Sequence, residues 1–223
     1  MFKIIKEVKH PVDSKFLDFC QKYLKDGNRI LEVGPGNGEF ADRLLKVFPG
    51  LQYEFSDIKN SLTYQTQRPI QIADVSQARL NQPDGTMDVV ITSQVVEHLH
   101  NLSHFILEAY RVLKPDGFLL IKMPNFDNFF QKVQFFVTGY PVRLSGTIDD
   151  GGHVNFVPHK YLAHFVERYF ALLEKRGDIF LDPLFSRRIF RLFKKDVYLV
   201  SEHISSIYFS WNVMLCFKKK GNA

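Results

Sequence analysis

The sequence is poor in cysteine and in long apolar runs. Its two cysteines, Cys20 and Cys216, lie near opposite ends and form no C-x-x-C pattern. That excludes a disulfide framework and a zinc knuckle, and it suits a reducing compartment. The longest apolar-rich run, 207–217, is broken by Ser210 and Asn212. It falls well short of the ~20 residues a membrane-spanning helix needs. The opening Met1-Phe2-Lys3-Ile4-Ile5-Lys6-Glu7 lacks the apolar stretch of a signal peptide, so a cytoplasmic location is expected. There is no internal repeat and no low-complexity tract.

What is present is an ordinary globular composition, with 45% hydrophobic and 24% charged residues over a length of 223. That length suits one large domain with an ample core. Charge and aromatics are unevenly spread. Residues 1–124 hold 15 Lys/Arg and 15 Asp/Glu, whereas 125–223 hold 14 and 9, so the whole +5 surplus lies in the second part. The same part carries 14 of the 22 phenylalanines. A neutral first part and a basic, aromatic second part suggest different jobs.

Periodicity organises the first part. Phe16, Leu17, Phe19, Cys20, Tyr23 and Leu24 share a helical face over 12–25, and Arg29-Ile-Leu-Glu-Val33 reads as a short buried strand. Phe40, Leu44, Leu45 and Phe48 mark a second amphipathic helix. Strand-like runs follow at 52–56, 70–73, 88–92 and 118–123, with a helix before the last carrying Leu102, Phe105, Ile106, Ala109 and Leu113. Alternating strands and helices predict a parallel sheet covered on both faces. Beyond Asn125 lie a Phe-rich run (126–136), a helix over 158–170, and two late strands over 171–181 and 208–217. Between those strands comes the basic stretch Arg187–Lys195.

The strongest motif is Ile30-Leu-Glu-Val-Gly-Pro-Gly-Asn-Gly38. Three glycines after a strand allow a sharp turn and close approach of a ligand to the backbone. The dinucleotide fingerprint wants a glycine where this chain has Glu39, which weighs against a nicotinamide enzyme. Asp57, 19 residues past Gly38 at a strand end, is placed to accept both hydrogens of a ribose diol. Asp74 ends the next strand. It reads equally as an acceptor for an exocyclic adenine amine and as the cap of the segment 75–80.

Together these residues resemble the class I S-adenosylmethionine-dependent methyltransferases. Glu32-Val-Gly-Pro-Gly-Asn-Gly38 looks like the family's first motif, and Asp57 and Asp74 match its two later acidic positions. Asp88-Val-Val-Ile-Thr-Ser-Gln-Val-Val-Glu-His-Leu99 and Leu107–Ile121 resemble the fourth-strand motif and the helix–turn–strand of its small-molecule branch, and Gly152-His-Val-Asn-Phe-Val-Pro158 is similar to a later segment there. The resemblance implies a Rossmann-like α/β fold with a seven-stranded, mostly parallel sheet, order 3-2-1-4-5-7-6, strand 7 antiparallel and helices on both faces. It implies one domain, with 12–124 as cofactor-binding core and 125–223 as substrate-side insertion, last helix and terminal strands. It further implies S-adenosylmethionine as cofactor. Glu32 would lie near its amino group, Gly34, Gly36, Asn37 and Gly38 around the methionine, and Asp57 on the ribose. Asp74 would take the adenine between Ile58 and Val75, with Ser93 and Gln94 facing the methionine portion and the acceptor.

An oxygen nucleophile needs a base, for which His98 and His153 are the candidates; the commoner fate of such residues is local packing or capping for His98 and a loop-anchoring hydrogen bond for His153. Some quinone-biosynthesis members bind a divalent cation near the positions of Glu97-His98. Gln94 stands where their pattern has an acid, so no metal is expected. Thr92-Ser93-Gln94-Val95 replaces the Asn/Asp-Pro-Pro-aromatic motif of nucleic-acid amino-methylating members, which disfavours nucleic acid. The expected acceptor is a small molecule, such as a sugar, glycan precursor or lipid-linked metabolite, methylated on oxygen. An RNA methyltransferase and a catalytically silent cofactor-binding module remain alternatives. The Phe-rich run reads as a lid, a core helix or the face of a homodimer. Arg187–Lys195 reads as a contact with an anionic membrane or phosphorylated substrate, or as a solvated face.

Overall fold

The computed structural model describes residues 11–139, 154–178, 207 and 210–221. His153 and Arg187–Lys195 therefore lie outside the described residues.

Seven strands form one sheet: β1 (Arg29–Val33), β2 (Gln52–Asp57), β3 (Ile70–Ile72), β4 (Met87–Ser93), β5 (Leu113–Pro124), β6 (Phe170–Gly177) and β7 (Asn212–Lys219). Their order is β3-β2-β1-β4-β5-β7-β6, with β7 antiparallel to both neighbours and the other pairings parallel. The expected topology is thus observed. The helices are α1 (Pro11–Gln21), α2 (Glu39–Val47), α3 (Leu102–Val112), α4 (Phe129–Thr138) and α5 (His159–Val166). Among the described residues no helix is long and apolar enough to cross a membrane.

Alternation along the central strands builds two cores. Ile30, Val89, Ile91, Leu120, Met214 and Cys216 point to one face, where Phe16, Phe19 and Cys20 of α1 and Leu44 of α2 cover them. Leu31, Val33, Val90, Leu119 and Ile121 point to the other, under Phe105, Ile106 and Ala109 of α3 and Leu162 and Val166 of α5. Strands covered on both faces read as continuous apolar runs, which is why β1 and β4 were legible.

β5 is longer than its sequence suggests. Leu113 already pairs with Met87. Asp116 adopts φ of 64°, the ladder shifts register, and Phe118 resumes opposite Val89. The Lys114–Gly117 turn is therefore a bulge inside the strand and not a separate connection.

At the amino end of the sheet, Arg111 staples α3 to the 80–84 loop. Its guanidinium donates to both Glu108 carboxylate oxygens (2.9 and 2.7 Å), to Asp84 (2.6 Å), and to the carbonyls of Leu80 and Gln82 (2.8 and 2.9 Å). Glu108 also accepts from Leu80 N. Replacing Arg111 by alanine strands these acceptors and is expected to cost about 2 kcal/mol of unfolding free energy in urea titration. Lysine should recover only part of that, because it has no fork to satisfy two partners at once.

Candidate functional site

The carboxyl ends of β1, β2 and β4 open onto two adjoining cavities that share Gly34, Gly36 and Ser93. The larger, about 430 Å³, is lined among others by Asp57, Ile58, Asp74, Val75, Gln94 and His98. The smaller, about 190 Å³, is bounded by Glu32, Asn37, Arg43 and the rings of Phe16 and Phe40. Ligands bind open α/β sheets at this edge. The structure thus brings every proposed cofactor residue except Gly38 to one trough, and Gly38 sits in its floor loop as the residue before α2.

The three glycines divide the work. Gly34 has φ of 72°, and a Cβ there would meet Val95 Cγ2 at 2.3 Å, so its smallness serves internal packing against the turn after β4. Gly36, φ 57°, has nothing within 4 Å of where its Cβ would project. The bare backbone there is presented to the trough, as a closely approaching ligand requires. Asn37 acts locally: its carbonyl accepts from Thr63 N and Tyr64 N at 3.0 Å each, and Oδ1 accepts from Glu39 N at 3.1 Å.

Glu32 is buried on the sheet face under α1, only 3% exposed, yet it borders the smaller cavity. Its Oε2 makes no hydrogen bond among the described residues. Burial pushes its pKa up to about 7, with the neighbouring Tyr53 hydroxyl working the other way. An orphaned carboxylate at a cavity wall is costly unless a ligand satisfies it. A positively charged ligand group fits that need.

The two acids at the strand ends differ. Asp57 accepts Ile58 N through Oδ1 at 2.7 Å and leaves Oδ2 without a partner among the described residues. Ile58 beside it is 67% exposed, an apolar wall with nothing packed on it. Asp74 spends both oxygens on its own turn, accepting Ser76 N at 2.8 Å and Gln77 Nε2 at 2.9 Å. The Ser76 amide leads in holding its pKa below the usual range. Asp74 therefore reaches the cavity, but as a turn cap first.

At the end of β4, Gln94 continues the ladder by donating its N–H to Lys122 O at 2.8 Å, and then adopts φ of 57°. Non-glycine residues adopt that region uncommonly. His98 ends a short 3-10 turn (Val96–His98) at the rim of the larger cavity, exposed, with its amide bonded to Val95 O. Ser76, Leu99, His100 and Val154 also line the cavity; sequence reading gave them no role. Val154 arrives because its amide and that of Asn155 both donate to Glu97 O at 2.9 Å, a link of more than fifty residues with no local signal. Among the described residues no group of three or more His, Cys, Asp and Glu is placed to hold a metal ion.

α4 carries most of the Phe-rich run. Phe129, Val133, Phe135, Phe136 and Val137 are all exposed, Phe136 at 90%. Phe126, just before them, is buried against Phe156.

A family model for a methyltransferase domain matches residues 5–174. A probable S-adenosylmethionine-dependent methyltransferase of Mycolicibacterium smegmatis is 34% identical over 102 residues, covering 44% of this chain and 39% of that protein. The mitochondrial ubiquinone biosynthesis O-methyltransferase of Rattus norvegicus is 30% identical over 155 residues, covering 63% and 43%. The chain thus spans about two fifths of these curated relatives. Among solved structures, a SAM-dependent methyltransferase from Archaeoglobus fulgidus superposes with a TM-score of 0.66 over 93% of both chains at 21% identity, which speaks to the fold.

Proposed function

The chain belongs to the class I S-adenosylmethionine-dependent methyltransferases, and from that premise we propose that it moves a methyl group from S-adenosylmethionine to a small-molecule acceptor, on oxygen. The observation that carries this reading is the unpartnered Oε2 of the buried Glu32 carboxylate beside the open backbone of Gly36. The cofactor, when bound, supplies a methyl already activated by its sulfonium charge.

The residues of this chain do the rest. Glu32 takes the ammonium group, and the bare loop at Gly36 admits the methionine portion. Asp57 accepts the ribose hydroxyls with its uncommitted Oδ2, and Ile58 and Val75 form the apolar walls around the base. Ser93 and Gln94, shared between the methionine end and the open side, border the place where the acceptor would sit in line with the methyl group. Val95, Leu99 and Val154 line that side and limit water. His98, at the rim, would take the acceptor's hydroxyl proton, and the bound cofactor would supply the methyl group. The printed activity of the rat relative, O-methylation in ubiquinone biosynthesis, supports oxygen as the acceptor atom.

Transfer of labelled methyl from S-adenosylmethionine to a panel of hydroxyl-bearing small molecules tests the reading. His98→Asn should lower kcat about 100-fold while leaving cofactor affinity unchanged. Full activity in that variant would remove His98 from the proton path. A chain that binds the cofactor and labels nothing in the panel would count against transfer to small acceptors.

A further inference from the structure

We infer that Asp178 and Asn212 fix the side-chain amide of Gln94 with its carbonyl oxygen toward the cleft, so that the acceptor enters as a hydrogen-bond donor, a hydroxyl or an amine. The first half stands on geometry alone; the second rests on the methyl-transfer reading above.

Asp178 follows β6 and is 1% exposed. Asn212, 8% exposed, opens β7. The Asp178 carboxylate accepts two N–H groups from this one residue: Asn212 N to Oδ1 at 2.9 Å and Asn212 Nδ2 to Oδ2 at 2.5 Å. The backbone returns the bond, Asp178 N donating to Asn212 O at 3.1 Å. Both carboxyl oxygens of Asp178 are engaged as acceptors by this one residue. The Asn212 amide thus has one orientation, with its NH₂ on Asp178 and Oδ1 turned away.

Oδ1 in turn faces Gln94, whose Nε2 donates to it at 3.4 Å. A flipped Gln94 would set two carbonyl oxygens against each other and lose that bond. The orientation of an amide is usually ambiguous. Here it follows from the two N–H groups that Asn212 gives to Asp178. What remains to Gln94 is Oε1, which makes no hydrogen bond among the described residues, on a side chain that lines the larger cavity beside Ser93. The backbone of Gln94 is itself pinned by Lys122 O and its positive φ. The cleft therefore presents a fixed acceptor atom next to the place of transfer.

A fixed acceptor atom selects its ligand. An alcohol or an amine bearing hydrogen satisfies Oε1 and is oriented by it. A thioether or a tertiary amine leaves Oε1 desolvated and unpaired, which sites of this kind reject strongly. Asp178 and Asn212 are positioning residues, and Gln94 is the one that touches the acceptor.

Neutron diffraction from deuterium-exchanged crystals of the full chain reads the amides directly. The expected map places the deuterium atoms of Gln94 toward Asn212, and those of Asn212 toward Asp178. Deuterium on the cleft side of Gln94 overturns the inference. A second measurement uses catechol and benzylamine against thioanisole and N,N-dimethylbenzylamine as methyl acceptors. Transfer confined to the first pair is expected, and equal rates on the second pair overturn the donor requirement. Asp178→Asn, isosteric but able to donate, lets the amide chain reverse. It should lower kcat/KM on the first pair at least tenfold with S-adenosylmethionine affinity within twofold of the parent, and an unchanged kcat/KM overturns the positioning role. Silence on all four acceptors would count against the methyl-transfer reading, while the deuterium map judges the amide chain by itself.

Discussion

Asp57→Ala is expected to raise the dissociation constant for S-adenosylmethionine about 100-fold, a loss of roughly 3 kcal/mol. Asp57 ends β2 where the sheet edge opens, and only one of its oxygens is used, on Ile58 N. The other is free to accept charge-assisted hydrogen bonds from a ribose diol, each worth about 1.5–3 kcal/mol. Asparagine keeps one acceptor and loses the charge, so a weakening of about tenfold is expected from Asp57→Asn. Neither change should destabilise the fold much, because the side chain caps only an exposed amide. Isothermal titration measures both, and an affinity equal to that of the parent would refute the ribose role.

Glu32→Gln should move stability and binding in opposite directions. The folded-state pKa of Glu32 is raised to about 7 by burial, against about 4.3 for an ordinary glutamate. The folded chain therefore holds this proton more tightly than the unfolded one. Its contribution is most favourable below about pH 4.3, declines as pH rises toward 7, and reaches a cost of up to about 4 kcal/mol above it. Glutamine carries no such cost, so unfolding free energy should rise in the variant at pH 8 and change little at pH 4. Binding runs the other way. An ammonium partner needs the ionised carboxylate, so affinity of the parent should rise about tenfold per pH unit from ~5.5 to 7 and then level off. The variant should show a flat profile and bind at least tenfold more weakly at pH 8. A parent affinity independent of pH over that range would contradict the role given to Glu32.

Much of the fold was legible because both faces of the sheet are covered. A run such as Arg29–Val33 is short, apolar and followed by glycine, which leaves few other readings. The site was legible where one segment carries its chemistry, as in the loop from Glu32 to Gly38. It was illegible where partners lie far apart. Gln94 and Asn212 are separated by 118 residues, and no local pattern joins them. The packing need at Gly34 comes from Val95 across the turn after β4, which spacing does not announce. Asp74 shows a different limit: an acid at a strand end serves a ligand or its own turn, and only the positions of Ser76 and Gln77 decide that its oxygens go to the turn. In α4, the sequence showed a Phe-rich run over 126–136 without saying which of its residues would be covered. Periodicity tells which residues share a face, not what that face meets.

The central claim is that the trough at the carboxyl ends of β1, β2 and β4 is an S-adenosylmethionine site with the ammonium end on Glu32. Calorimetric titration of the parent chain with S-adenosylmethionine, repeated at pH 6 and pH 8, tests it most directly. The expected result is one saturable site per chain, about tenfold tighter at pH 8. Absence of binding at millimolar cofactor would contradict it.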